Sequence, residues 1–180
     1  MYKVRPKKSL GQHFLHDQQI ARRIVDSLIL QDEHRRVLEI GPGMGVLTAY
    51  LMNLPGIELK MIELDRDSVA YLKKKYPSLS SSVIEGDFLE YDPKSIFQET
   101  FSIIGNFPYN ISSQIFFRVL EYRDHVDQVV CMLQKEVAER IAAPHGSKTY
   151  GILSVLLQAY YHIEYLFKVP PGVFTPPPKV

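Results

Sequence analysis

Behind Asp17, apolar residues recur three and four positions apart at Ile20, Ile24, Val25, Leu28 and Ile29, a spacing that predicts an N-capped amphipathic helix. The next run has another character. Arg36–Ile40 is short and apolar, ends in Gly41-Pro-Gly-Met-Gly45, and gives way to a helical pattern from Val46 to Leu54, which reads as strand, glycine turn, helix. Ile57–Ile62, Ser82–Glu85 and Phe101–Ile104 read as further strands, with a helix over Asp65–Tyr76. Ser112–Tyr122, Val126–Leu133, Lys135–Ala142, Tyr150–Tyr160 and His162–Val169 continue the alternation, the last as a sixth strand. Parallel strands need crossover connections, so the pattern predicts an α/β domain with a mainly parallel sheet and helices on both faces. Ligands of such folds sit at the carboxyl ends of the strands.

The ending differs in composition. Pro170, Pro171, Pro176, Pro177 and Pro178 exclude helix, so residues 1–168 are expected to form the folded domain and 169–180 an extended Pro-rich connector. Lys179-Val180 closes with no turn or cap, and the chain reads as cut.

At 180 residues and 46% hydrophobic content, one globular domain is expected, burying about 70% of the surface its unfolded chain would expose. Cys131 is the only cysteine, so no internal disulfide is possible and the cytoplasm is the expected compartment. No run approaches the roughly 18 apolar residues of a membrane span. Twenty-one Lys and Arg against 20 Asp and Glu leave almost no net charge, so bulk composition does not announce a nucleic-acid binder. Lys3, Arg5, Lys7 and Lys8, however, cluster in the first eight positions, as a solvated tail or as an arm able to lie along phosphates.

Two constellations carry chemistry. The loop Glu39-Ile-Gly-Pro-Gly-Met-Gly45 follows a strand and opens a helix, but its G-x-G-x-G spacing is neither the dinucleotide fingerprint nor a phosphate loop. Glu63 ends the second strand 22 residues after Gly41, where a carboxylate can accept from both hydroxyls of a ribose. A carboxylate here repels pyrophosphate, which favours an adenosine ligand without phosphates, S-adenosylmethionine. Asp87 is placed to accept from the adenine amino group. The second constellation is Gly105-Asn-Phe-Pro-Tyr-Asn110, at the end of the fourth strand. An adenine N6 amine is a poor nucleophile because its lone pair is delocalised into the ring; accepting its hydrogens frees that pair. The Asn106 side-chain oxygen with the Phe107 or Pro108 carbonyl supplies acceptors, and Tyr109 can stack on the base.

With both constellations in view, the chain resembles the ribosomal RNA small-subunit adenine N6-dimethyltransferases of the bacterial KsgA type, which have a Rossmann-like class I S-adenosylmethionine-dependent methyltransferase fold. The resemblance runs from end to end, through Ser9-Leu-Gly-Gln-His-Phe-Leu15, Glu39–Gly45, Ile62-Glu-Leu-Asp65, Glu85-Gly-Asp87, Gly105-Asn-Phe-Pro-Tyr-Asn-Ile-Ser112 and Phe174-Thr-Pro-Pro-Pro-Lys-Val180. It implies cofactor contacts at His13, Leu15, Gly41, Glu63, Asp87 and Asn106. It further implies catalytic roles for Asn106 and Pro108, with Tyr109 and Phe174 sandwiching a flipped adenine. The implied reaction dimethylates two adjacent adenosines in a hairpin near the 3′ end of 16S ribosomal RNA, in the immature 30S subunit, by a monomer needing no metal or membrane. The basic arm then reads as an RNA contact. His13 and Phe107 depart from the family's more frequent Asn and Leu. The resemblance also places the missing last strand, from about Val180, between the fifth and sixth strands, followed by a small helical domain. Without them the sixth strand lacks a neighbour, and weak or absent RNA methylation is expected.

Rival readings are an Erm-type 23S ribosomal RNA methyltransferase and a non-catalytic assembly or transcription factor of the same fold. His13 and His16 alone do not make a metal site.

Overall fold

The computed structural model describes residues 4–30 and 35–179; Lys3 and Val180, named above for the basic arm and for a last strand, lie outside them. Five parallel strands form the central sheet: β2 (Arg35–Ile40), β3 (Ile57–Glu63), β4 (Val83–Glu85), β5 (Phe101–Asn106) and β6 (Val126–Met132), in the order β4-β3-β2-β5-β6. A separate two-stranded antiparallel ladder joins β1 (Phe14–Leu15) to β7 (Phe174–Thr175). The helices are α1 (Gln18–Asp26), α2 (Thr48–Leu51), α3 (Arg66–Lys75), α4 (Pro93–Ile96), α5 (Ser112–Glu121), α6 (Lys135–Ile141) and α7 (Ile152–Gln158).

Alternation along each strand sends neighbouring side chains to opposite faces. Val37, Leu59, Met61 and Ile104 pack under α1, α2 and α3 through Ile24, Val25, Leu51, Val69 and Leu72. Leu38, Ile40, Ile62 and Ile103 pack on the other face against Ile115, Phe116 and Val119 of α5, Ile141 of α6 and Leu153 and Leu157 of α7. Asp17 caps α1 as expected, its carboxylate accepting from Ile20 N at 2.9 Å.

Three expectations need correction. The α2 helix proper covers Thr48–Leu51, although helical hydrogen bonding already starts at the Gly45 carbonyl, which accepts from Ala49 N. The segment 162–169 is not a strand: it has no ladder partner among the described residues, and β6 pairs only with β5. Its alternate residues still pack inward, Ile163 on one core and Phe167 and Val169 on the other, with the Arg23 guanidinium 3.9 Å from the Phe167 ring centre. Apolar alternation needs only an inward face; a strand also needs a neighbour. The tail, finally, is more than a connector: Pro171–Val173 forms a single 3-10 turn and Phe174-Thr175 pairs with the start of the chain.

Candidate active site

The strand order reverses between β2 and β5, which opens a crevice at their carboxyl ends. Gly41 and Gly43 line its floor, and with Gly45 they take φ of 65°, 54° and 75°, a left-handed path that side chains other than glycine's rarely follow. A Cβ on Gly43 would also lie 2.9 Å from the Phe14 ring. The end of α3 braces the loop from behind: the Tyr76 hydroxyl donates to the Gly45 carbonyl, and Lys75 Nζ to the Met44 carbonyl, each at 3.1 Å.

Glu63 ties this loop to the end of β3. Its Oε2 accepts from Gly43 N at 3.0 Å and its Oε1 from Asp65 N at 2.9 Å, and burial pushes its carboxyl above the ordinary carboxylate range. Each oxygen keeps a lone pair for a ligand hydroxyl. Beneath the loop, Glu39 is 1% exposed and accepts from the Thr48 hydroxyl at 2.6 Å; burial lifts its carboxyl to about 8.

The Asn106–Tyr109 turn closes the crevice from β5. Gly105 lets β5 lie against β2, since a Cβ there would fall 2.4 Å from the Ile40 carbonyl. Asn106 Nδ2 donates to the His13 carbonyl at 2.8 Å, the His13 ring stacks on Tyr109 with centroids 5.2 Å apart, and His13 Nδ1 lies 2.8 Å from the Pro176 carbonyl. The N-terminal arm therefore forms a wall. Among the residues around the cavity of about 800 Å³, part of it open to solvent, are Ser9–Phe14, Ile40, Gly41, Gly43, Ile62, Glu63, Leu64, Phe88 and Asn106–Asn110. No Lys or Arg is among the lining residues and Glu63 is their only carboxylate, so the cavity suits a neutral or cationic ligand and disfavours a polyphosphate. Apolar Ile62, Leu64 and Phe88 beside the acceptor Glu63 match a purine next to a ribose, and the glycine floor admits an amino-acid end. These residues fit S-adenosylmethionine.

The model of the family described as ribosomal RNA adenine dimethylase matches residues 4–180. The chain belongs to this family. It is 60% identical over 180 residues to the ribosomal RNA small subunit methyltransferase A of Cytophaga hutchinsonii, covering 100% of this chain and 70% of that protein. The protein of the same name from Flavobacterium johnsoniae is 57% identical over 181 residues, covering 100% and 69%. The crystal structure of a dimethyladenosine transferase from Plasmodium falciparum superposes with a TM-score of 0.79 at 29% identity, over 93% of this chain and 60% of that one. The fold is the Rossmann-like one of S-adenosylmethionine-dependent methyltransferases, and this adenine dimethylase chain spans about 70% of the length of these two curated relatives.

Of the site residues expected from sequence, His13, Gly41, Glu63, Asn106, Pro108 and Tyr109 line the main cavity. Leu15 lines a smaller adjoining one together with Glu39, Gly41 and Asn106. Two residues stand apart. Asp87 turns its Oδ1 to Leu89 N at 2.9 Å and is not part of the wall; its neighbour Phe88 is. Phe174 is 4% exposed and lines neither cavity, packed in the core beside its ladder partner Leu15. Sequence reasoning missed the wall formed by Ser9–Gln12 and the apolar contribution of Phe88. Phe88 follows Asp87 directly, so an aromatic residue just past a strand end was the available signal. Among the described residues no group of acidic, His and Cys side chains could hold a metal, and no helix is long and apolar enough to cross a membrane.

Proposed function

We propose that this chain catalyses S-adenosylmethionine-dependent N6,N6-dimethylation of two adjacent adenosines in a hairpin near the 3′ end of 16S ribosomal RNA, acting in the cytoplasm as a monomer on the immature small subunit, without a metal. The observation that carries this reading is the Asn106 amide. With Nδ2 donating to the His13 carbonyl, Oδ1, an acceptor, is assigned to the target amine in the cavity that Asn106 and Tyr109 line.

When bound, the cofactor supplies a methyl group made electrophilic by its sulfonium. The protein supplies position and acceptors. Glu63 orients the ribose, Ile62, Leu64 and Phe88 flank the cofactor's purine, and Gly41 and Gly43 let the backbone approach closely, with Leu15 behind. Asn106 Oδ1 accepts one hydrogen of the target amine. The Pro108 carbonyl, which accepts from Ile111 N at 3.2 Å and keeps a second lone pair, is suited to the other. Tyr109 stacks on the base, which must leave its own helix or be presented single-stranded to reach this depth. For Asp87 and Phe174 the roles proposed are indirect: Asp87 shapes the turn carrying Phe88, and Phe174 holds the N-terminal arm through its ladder with Leu15.

The direct test is transfer of labelled methyl groups from S-adenosylmethionine into immature small subunits, with N6,N6-dimethyladenosine identified after nuclease digestion. Label in large-subunit RNA instead would move the assignment to the Erm type. Subunit binding without label, from a folded full-length version that binds cofactor, would favour the non-catalytic reading.

A further inference from the structure

The N-terminal arm is fastened at both ends, by different means. Toward the core, Phe14-Leu15 pairs with Phe174-Thr175, and the His13 carbonyl takes the Asn106 amide. At the outer end the fastening is ionic. Lys7 Nζ pairs with Asp65, and with Asp67 Oδ2 at 2.8 Å. Lys7 N donates to Gln12 Oε1 at 2.8 Å, and Gln12 Nε2 donates to Asp65 Oδ2 at 3.3 Å, which closes a ring around the turn between them. That turn is a short 3-10 segment, Lys8–Leu10, ended by Gly11 at φ 61°, and residues 9–14 form one wall of the cofactor cavity.

Asp65 is a connecting point rather than a surface charge. Its side chain is fully buried beneath a Lys7 that is 41% exposed; it also accepts from Ser68 Oγ at 3.0 Å and Asp67 N at 3.3 Å, capping α3. Its own N–H donates to Glu63 Oε1. The arm's outer end is thereby joined, through the side chain and backbone N–H of Asp65, to the residue assigned to the ribose. Burial pushes the Asp65 carboxyl up, but Lys7, Gln12 and Ser68 outweigh this and hold it below its usual range.

We propose that Lys7 is a positioning residue for cofactor retention: through Asp65 it clamps the N-terminal arm across the cavity, and its ion pair opens when cofactor is exchanged. The inner end, held in a backbone ladder and against Asn106, is the hinge. The ammonium is used inside the protein, so Lys7 is not the phosphate contact its place in a basic arm suggests; Arg5 and Lys8 remain for that role. This inference rests on the cavity being the S-adenosylmethionine site.

The experiment uses S-adenosylhomocysteine, which binds without reacting, on the whole chain. Wild type, Lys7→Met and Lys7→Arg are compared by calorimetry and stopped-flow displacement, with hydrogen exchange of residues 8–13 followed in parallel. Lys7→Met is expected to raise the dissociation rate about five- to tenfold, since losing one partner of a buried charge acts mainly on release. It should also speed exchange across the arm in the bound state, while the uncompensated Asp65 charge lowers the melting temperature, and Lys7→Arg should restore most of all three. Tight binding by wild type with an unaltered release rate in Lys7→Met overturns the clamp and leaves the cofactor site standing. Failure of wild type to bind overturns the cofactor reading itself. Faster release that Lys7→Arg does not restore also overturns the ionic clamp.

Discussion

The side-chain amide of Asn106 is held by the main-chain carbonyl of His13, 93 positions earlier, at 2.8 Å. An asparagine can present either end to a ligand; this contact engages the nitrogen with the arm, and the oxygen is the acceptor proposed for the target amine. Asn106→Ala removes the acceptor from the cavity together with the donor to the His13 carbonyl. Methyl transfer in single turnover should fall on the order of 100-fold, the scale of removing one placed polar group from a reacting centre. S-adenosylhomocysteine affinity should fall much less. Equal losses in both would assign Asn106 to cofactor binding alone.

Gly105 sits where β5 meets β2, and an added Cβ would reach to 2.4 Å from the Ile40 carbonyl. That neighbour is backbone of a central strand and has little room to retreat. Gly105→Ala should cost about 2 kcal/mol in urea unfolding through overpacking. An unchanged midpoint would mean that the strands move apart freely.

The parts readable from sequence were those whose signal is local. The run from Arg36 to Gly45 carries its own strand, turn and helix start, and Glu63 and Asn106 announce themselves by standing at strand ends. The arm was not readable in this way. Lys7 meets Asp65 across 58 positions and Phe14 meets Thr175 across a longer span, and neither end shows a period that points to the other. A ladder two residues long has no alternation to detect, and a lysine in a basic cluster looks alike whether it faces solvent or a buried carboxylate. The segment 162–169 failed for the opposite reason, because its alternation is real and records inward packing rather than pairing.

Phe107 is buried at the turn that closes the cavity. Its ring is 1% exposed and meets Phe116 edge-on, with centroids 5.9 Å apart at 65°. The backbone around it is fixed independently, Phe107 N donating to the Met132 carbonyl at 3.2 Å. Phe107→Leu should therefore cost about 1 kcal/mol of stability, as near-volume-conserving core swaps do. Methyl transfer should be largely kept; a collapse of activity in a stable Phe107→Leu protein would show that the ring itself shapes the base site.

Glu39 makes stability depend on pH in a direction opposite to that of a salt-bridged carboxylate. Burial lifts its folded-state value from 4.5 to about 8; the Thr48 hydroxyl pulls it back and Glu63 pushes it further. Below the unfolded value both states hold the proton and the group contributes nothing to the pH dependence. As pH rises from there toward 8, the unfolded chain releases its proton first, so the folded state binds more protons and loses stability. Glu39→Gln removes the titration while keeping a side-chain oxygen for Thr48. Melting temperatures measured from about pH 5 to about pH 8.5 should then shift relative to wild type in favour of the glutamine variant, with most of the change between the two pKa values. A constant offset between the two proteins across that range would show that Glu39 is ionised in the fold at neutral pH, despite its burial.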